Sequence, residues 1–137
     1  MNATGYTRNR WCLSVLIIAV IALGLASRKF AGLFPAALGN YPGDALWAMA
    51  AYLMVAFILP SMLVGKLVGL ALAISYFVEF SQLISMPWLD AIRGTRVGHL
   101  LLGQNFDWRD LVALTIGVGV AAFVDTNCAW IARQKYQ

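Results

Sequence analysis

Charge is what this sequence has least of. Of 137 residues only 12% are Asp, Glu, Lys or Arg, 61% are hydrophobic, and the mean hydropathy is +0.75. A water-soluble domain of this length cannot cover so much apolar surface with so few charges, so that class is excluded and lipid must be the solvent. A single histidine and two cysteines leave no metal quartet. Cys12 and Cys128 lie far apart without a partner cluster and read as packing residues rather than a disulfide or ligands. The formal net charge is +4 and the pI near 9.4. Yet the basic residues fall in ones and twos between apolar runs, which forms no stripe for nucleic acid. Nucleophile elbows, phosphatase signatures and cofactor motifs are lacking too, so no cofactor is implied.

What is present is four apolar runs. They predict an all-α, polytopic membrane protein whose single domain, 1–137, crosses the bilayer at about 11–27, 45–60, 67–86 and 110–131. Loops 1 and 3 carry short interfacial segments. Arg8 and Arg10 precede the first run, which at roughly 17 residues is at the short end for a span. Gly24 and Ala26 leave a cleavable signal as the alternative, and a retained anchor is the expectation. After Arg28 and Lys29, residues Phe30, Leu33, Phe34, Pro35 and Leu38 suit a segment lying in the interface. Tyr41-Pro42-Gly43 reads as a turn, with Asp44 opening the second helix either as a cap alone or as cap and site together. Pro60 stops or kinks that helix, and the tight link to Gly65 and Lys66 makes the next helix its antiparallel neighbour.

The third run holds the residues around which the others are arranged. Glu79 and Gln82 lie inside it, sharing one stripe with Ser75 and Met86 and with Tyr76 adjacent. Counting back from Trp88 puts Glu79 roughly 10–14 Å beneath the surface. A carboxylate at such depth costs at least a few kcal/mol unless it finds a partner, and marks a functional site by default. Asp90, Arg93, Arg96 and His99 follow, broken by Gly94, Gly98 and Gly103 into one or two short turns. Asp107 and Asp110 fit the cap and first turn of the last helix. Gly117 and Gly119 would admit a close neighbour, and Asp125 falls on the side of Lys66, an ion-pair candidate.

Four antiparallel spans gather Arg28, Asp44, Arg93, Arg96, His99, Asp107 and Asp110 at one membrane face, with Glu79 and Gln82 opening toward it. Buried acids need cations. The expectation is that Arg93, Arg96 or Arg28 meets Glu79 and still offers donors to phosphate, making a cup for an anionic head group. Pairing of the cup arginines with acids favours cytoplasmic termini and a cup on the outer face.

The pattern Ser27-Arg28, then Tyr41-Pro42-Gly43-Asp44-Ala45-Leu46-Trp47-Ala48, Glu79-Phe80-Ser81-Gln82-Leu83, Arg93, Leu102-Gly103 and Phe106-Asp107-Trp108-Arg109-Asp110-Leu111 resembles the bacterial DUF2809 family over roughly Gly24 to Gly119. The acid and glutamine in one helix, followed by an arginine and an Asp-x-x-Asp, also resemble the VanZ-like family associated with teicoplanin resistance. The resemblance implies a small bacterial inner-membrane protein with Arg28, Asp44, Glu79, Gln82, Arg93, Asp107 and Asp110 at the family's polar positions. It carries no established activity. A ribosome-maturation label borne by some members finds no basic arm or RNA-binding motif here.

Four functions follow as expectations. The first is binding of an anionic lipid or cell-envelope precursor head group, in an accessory or resistance-type role. The second is an enzyme acting on a lipid phosphate, with Glu79 or Asp110 as general base and Arg93 or Arg96 steadying charge. The third is a small proton-coupled multidrug transporter, although such pumps carry their carboxylate in the first helix. The fourth is a polar cluster that only locks helices together. Membrane lipids are the expected partners, and an oligomer fits each reading.

Overall fold

Four long helices form where the four apolar runs stand. The computed structural model describes residues 7–134, with side chains described as far as Cys128. The side chain of Arg133 and all of Lys135 lie outside the described residues. Helix α1, Arg10–Lys29, is capped by Asn9, whose side chain accepts the Trp11 N–H at 2.9 Å. It ends on Arg28 and Lys29, which suit the negative end of the helix dipole. Two 3₁₀ turns, Ala31–Leu33 and Ala36–Leu38, lead to α2, Tyr41–Ile58. That helix starts three residues before Asp44, because Pro42 can occupy a first turn where its missing N–H would have no partner anyway. Asp44 is therefore inside the first turn and does not cap; the N-cap is Asn40. Helix α3 is Val64–Ser81, and the short α4, Pro87–Arg93, and α5, Arg96–Leu102, precede α6, Trp108–Gln134. No strand occurs among the described residues. Helices α1, α2, α3 and α6 are each long and apolar enough to cross a membrane, the pattern of a multi-pass membrane protein.

Helix α2 is the centre, packed on α1, α3 and α6, with α6 also against α3; α1 rests on α2 and turns most of its surface outward. Small residues allow this closeness. Ala48, Tyr52 and Ala56 of α2 meet Leu67 and Ala71 of α3 and Val118 and Ala121 of α6, all buried. A Cβ added at Gly117 would lie 2.1 Å from the Ala45 carbonyl oxygen, whereas one at Gly119 would meet nothing within 4 Å. Only Gly117 serves the close approach expected of both. Gly117→Ala must push α6 off α2, with an expected loss of about 1–3 kcal/mol. Gly119→Ala should stay within about 0.5 kcal/mol of the parent in detergent unfolding curves.

At the end away from Asp44, Arg8 ties the N-terminal strand of chain to the bundle. Its Nε donates to both carboxylate oxygens of Asp125 at 2.8 and 2.9 Å, and its Nη1 to the carbonyls of Pro60 and Met62 at 2.9 and 2.8 Å. Tyr52 donates to Asp125 at 2.6 Å. The partner of Asp125 is thus Arg8 rather than the expected Lys66, which sits exposed in the first turn of α3. A planar guanidinium can satisfy a carboxylate and two carbonyls at once, and an ammonium cannot match that geometry. Cys12 and Cys128 are free and outward-facing, not packed inside as expected.

Candidate functional site

Helix α3 ends one turn after Glu79, and what ends it decides the site. Gln82 is its C-cap, so Met86 lies beyond the helix and off the stripe. Arg93 wraps the open carbonyls: its Nη2 donates to Ser81 O, and its Nη1 donates to Ile84 O at 2.8 Å and to Asp90 at 3.3 Å. A cation is well placed at a helix C-terminus, where the last carbonyls have no helical partner. Only 4% exposed, Arg93 spends both terminal nitrogens on holding the end of α3 to α4, while its buried Nε has no protein partner.

Glu79 points inward and is 6% exposed. Its Oε2 accepts from Gln82 Nε2 at 3.2 Å and its Oε1 from the Asp107 backbone N–H at 3.4 Å. The expected guanidinium partner is replaced by an amide and a peptide N–H. Gln82 Nε2 also donates to Leu102 O at 2.9 Å, across Gly103. Gly103 has φ +64°, and a Cβ there would sit 2.5 Å from that amide nitrogen, so glycine meets two demands at this position. Phe106 stacks on Phe80 with ring centres 5.6 Å apart and lies edge-on to Trp108 at 4.9 Å. This clasp holds Asp107, which caps α6 by accepting the Arg109 N–H at 2.9 Å.

Between these parts opens a polar cavity of about 570 Å³, bounded by Arg28 from α1, Asp44 from α2, Glu79 and Gln82 from α3, His99 from α5, and Asp107 and Asp110 at the start of α6. Asn40, Tyr41, Gln104 and Asn105 complete the rim. Sequence reasoning missed these four; Tyr41 reads there only as part of a turn, and the three amides give no signal of their own. Tyr41 is tied in by donating to Asp107 at 3.5 Å. Arg28 reaches Asp44 at 3.3 Å and lies across Gly43, whose absent Cβ would come 3.0 Å from Arg28 Nε. Beneath the cup is a chamber of about 40 Å³ where Glu79, Asp44 and Gln82 meet Ser75. Ser75 is 1% exposed, and its hydroxyl has no protein partner, nor has Gln82 Oε1.

Six of the eight expected site residues come together and two do not. Arg28, Asp44, Glu79, Gln82, Asp107 and Asp110 converge on the cup together with His99, while Arg93 is consumed at the end of α3 and Arg96 stands exposed at the start of α5. The cup therefore holds four carboxylates and one arginine. Its electrostatic character is acidic.

The profile of DUF2809, proteins of unknown function, matches residues 33–118. This chain belongs to the DUF2809 family. The DUF2809 match takes in every cup residue except Arg28, and leaves out the Arg8–Asp125 tie at the opposite end. No solved structure matches the chain.

Proposed function

We propose that the protein binds, in its cup, a lipid head group that carries an amine beside a phosphate. The observation that supports this is the ratio of four carboxylates to one guanidinium around an open polar cavity. A purely anionic head group, the charge anticipated from the sequence, would face the carboxyl groups of Asp44, Glu79, Asp107 and Asp110 with one arginine to receive it. An ammonium would instead form charge-assisted hydrogen bonds with them. Arg28 uses one nitrogen on Asp44 and has further donors for a phosphate at the edge.

The test is titration of the purified protein in detergent with phosphoethanolamine, glycerol phosphate and ethanolamine. Phosphoethanolamine should bind most tightly. Glu79→Gln and Asp44→Asn should each weaken it about tenfold, or about 1.4 kcal/mol. Tightest binding of glycerol phosphate, unchanged in both variants, overturns the reading. An amine-phosphate lipid of the cell envelope or of the bilayer itself satisfies the same chemistry, and lipids extracted with the protein identify which is held.

We further propose that the protein lies in a bacterial inner membrane with cytoplasmic termini and an outward cup. Lys and Arg divide five to each end along the sequence, but five of the six acids fall at the cup end, Asp125 being the exception, so it is the net positive charge that supports this orientation. A cysteine introduced at exposed Asn105 should react with an impermeant maleimide in intact cells, and one at Ser61 only after lysis.

A further inference from the structure

The head-group cup does not end at its polar walls. An apolar groove of about 250 Å³ runs between α1, α2 and α5, with Val20, Gly24, Leu25, Leu46, Val97 and Leu101 among its lining. Arg28, Trp47, Leu100 and Leu101 line both this groove and the small chamber under the cup, and Arg28 and Leu100 also line the cup itself. Polar and apolar spaces therefore adjoin, with one guanidinium at the boundary.

The groove opens where α1, packed chiefly on α2, leaves a gap beside the short α5. Its rim residues Ile21, Leu25, Val97 and Leu101 face outward, where the surrounding medium of a spanning helix is hydrocarbon. Such an arrangement has amphiphile geometry: acids for a cation, Arg28 for a phosphate, and a hydrocarbon-lined channel leading sideways from the phosphate position. Arg28 is suited to the boundary, since its aliphatic stem lies along Gly43 while its charged head stays with Asp44.

We propose that the groove seats an acyl chain of the same lipid whose head group occupies the cup, and that the lipid reaches the site laterally from the bilayer between α1 and α5. This rests on the head-group reading above. It adds that the ligand is a membrane-resident lipid and not a soluble head-group analogue, and it assigns Val97 and Leu101 to the chain.

The experiment uses the full chain in nanodiscs of phosphatidylglycerol, doped with phosphatidylethanolamine or phosphatidylglycerol bearing the same photoactivatable diazirine on one acyl chain. Labelled peptides are mapped by mass spectrometry. The phosphatidylethanolamine probe should label α1 and α5 around the groove in excess over the phosphatidylglycerol probe, and soluble phosphoethanolamine should displace that excess. Val97→Trp, filling the groove from an outward-facing position, should abolish it while phosphoethanolamine still binds in detergent. Leu25→Trp provides a second filling variant, and Phe77→Trp on the outward face of α3 should change nothing. Equal labelling by both probes, or an excess that survives both filling variants, overturns the groove assignment while leaving the cup reading intact. Failure of phosphoethanolamine to bind the unsubstituted protein overturns the cup reading, and the groove assignment falls with it.

Discussion

Asp125→Ala should destabilise the protein by about 3–5 kcal/mol, the cost of leaving one member of a buried ion pair without its partner. Arg8 and Asp125 are each under 10% exposed. Losing the carboxylate removes both Nε hydrogen bonds and strands the Tyr52 hydroxyl, which donates to the same group. Because Arg8 also joins the Pro60 and Met62 carbonyls, the variant should loosen the α2–α3 turn as well as the N-terminal segment. Thermal unfolding in detergent measures the loss, and hydrogen exchange at the turn locates it. Replacing both partners, Arg8→Met with Asp125→Leu, should cost less than Asp125→Ala alone, since no buried charge is then left over. A single variant as stable as the parent would show that the pair contributes nothing.

Arg93→Ala should lower stability by about 3 kcal/mol without changing head-group affinity in the protein that remains folded. The Ser81 and Ile84 carbonyls, each in a part-buried bond to Arg93, lose their donor, and a buried group left unsatisfied costs about 1–3 kcal/mol. Arg93→Lys should recover only part of this, as an ammonium cannot span both carbonyls and Asp90 with the same fork. The affinity half is the sharper outcome. Were Arg93 a cup cation, as its position in the sequence predicts, its removal would change phosphoethanolamine binding directly; held behind the end of α3, it should not. Titration beside an unfolding curve separates the two.

The arginines show where sequence reasoning reaches and where it stops. Glu79 stood out because a carboxylate in an apolar run needs a partner, and the structure does turn it inward. Which partner it takes was a matter of placement in space to within a few ångströms rather than of residue type. Arg93 and Arg96 lie three residues apart, but Gly94 breaks the helix between them, so one side chain folds back under α3 and the other faces outward. Asp125 gives the same lesson at the other end. Its need for a cation was legible, yet proximity to Lys66 along the expected topology said nothing of Arg8, more than a hundred residues away in the chain.

By itself the sequence determined the class of the protein, its four long helices, the break of the third loop into short turns and the end at which its acids gather. Those properties are set by hydrophobic length, glycine breaks and alternation of direction, which are local or additive along a chain. The sign of the cup, the absence of Arg93 from it, and the groove that joins it to the hydrocarbon were decided only by the tertiary structure. Each depends on which side chain reaches a shared space first, and a few ångströms of helix termination at Gln82 are enough to change the answer.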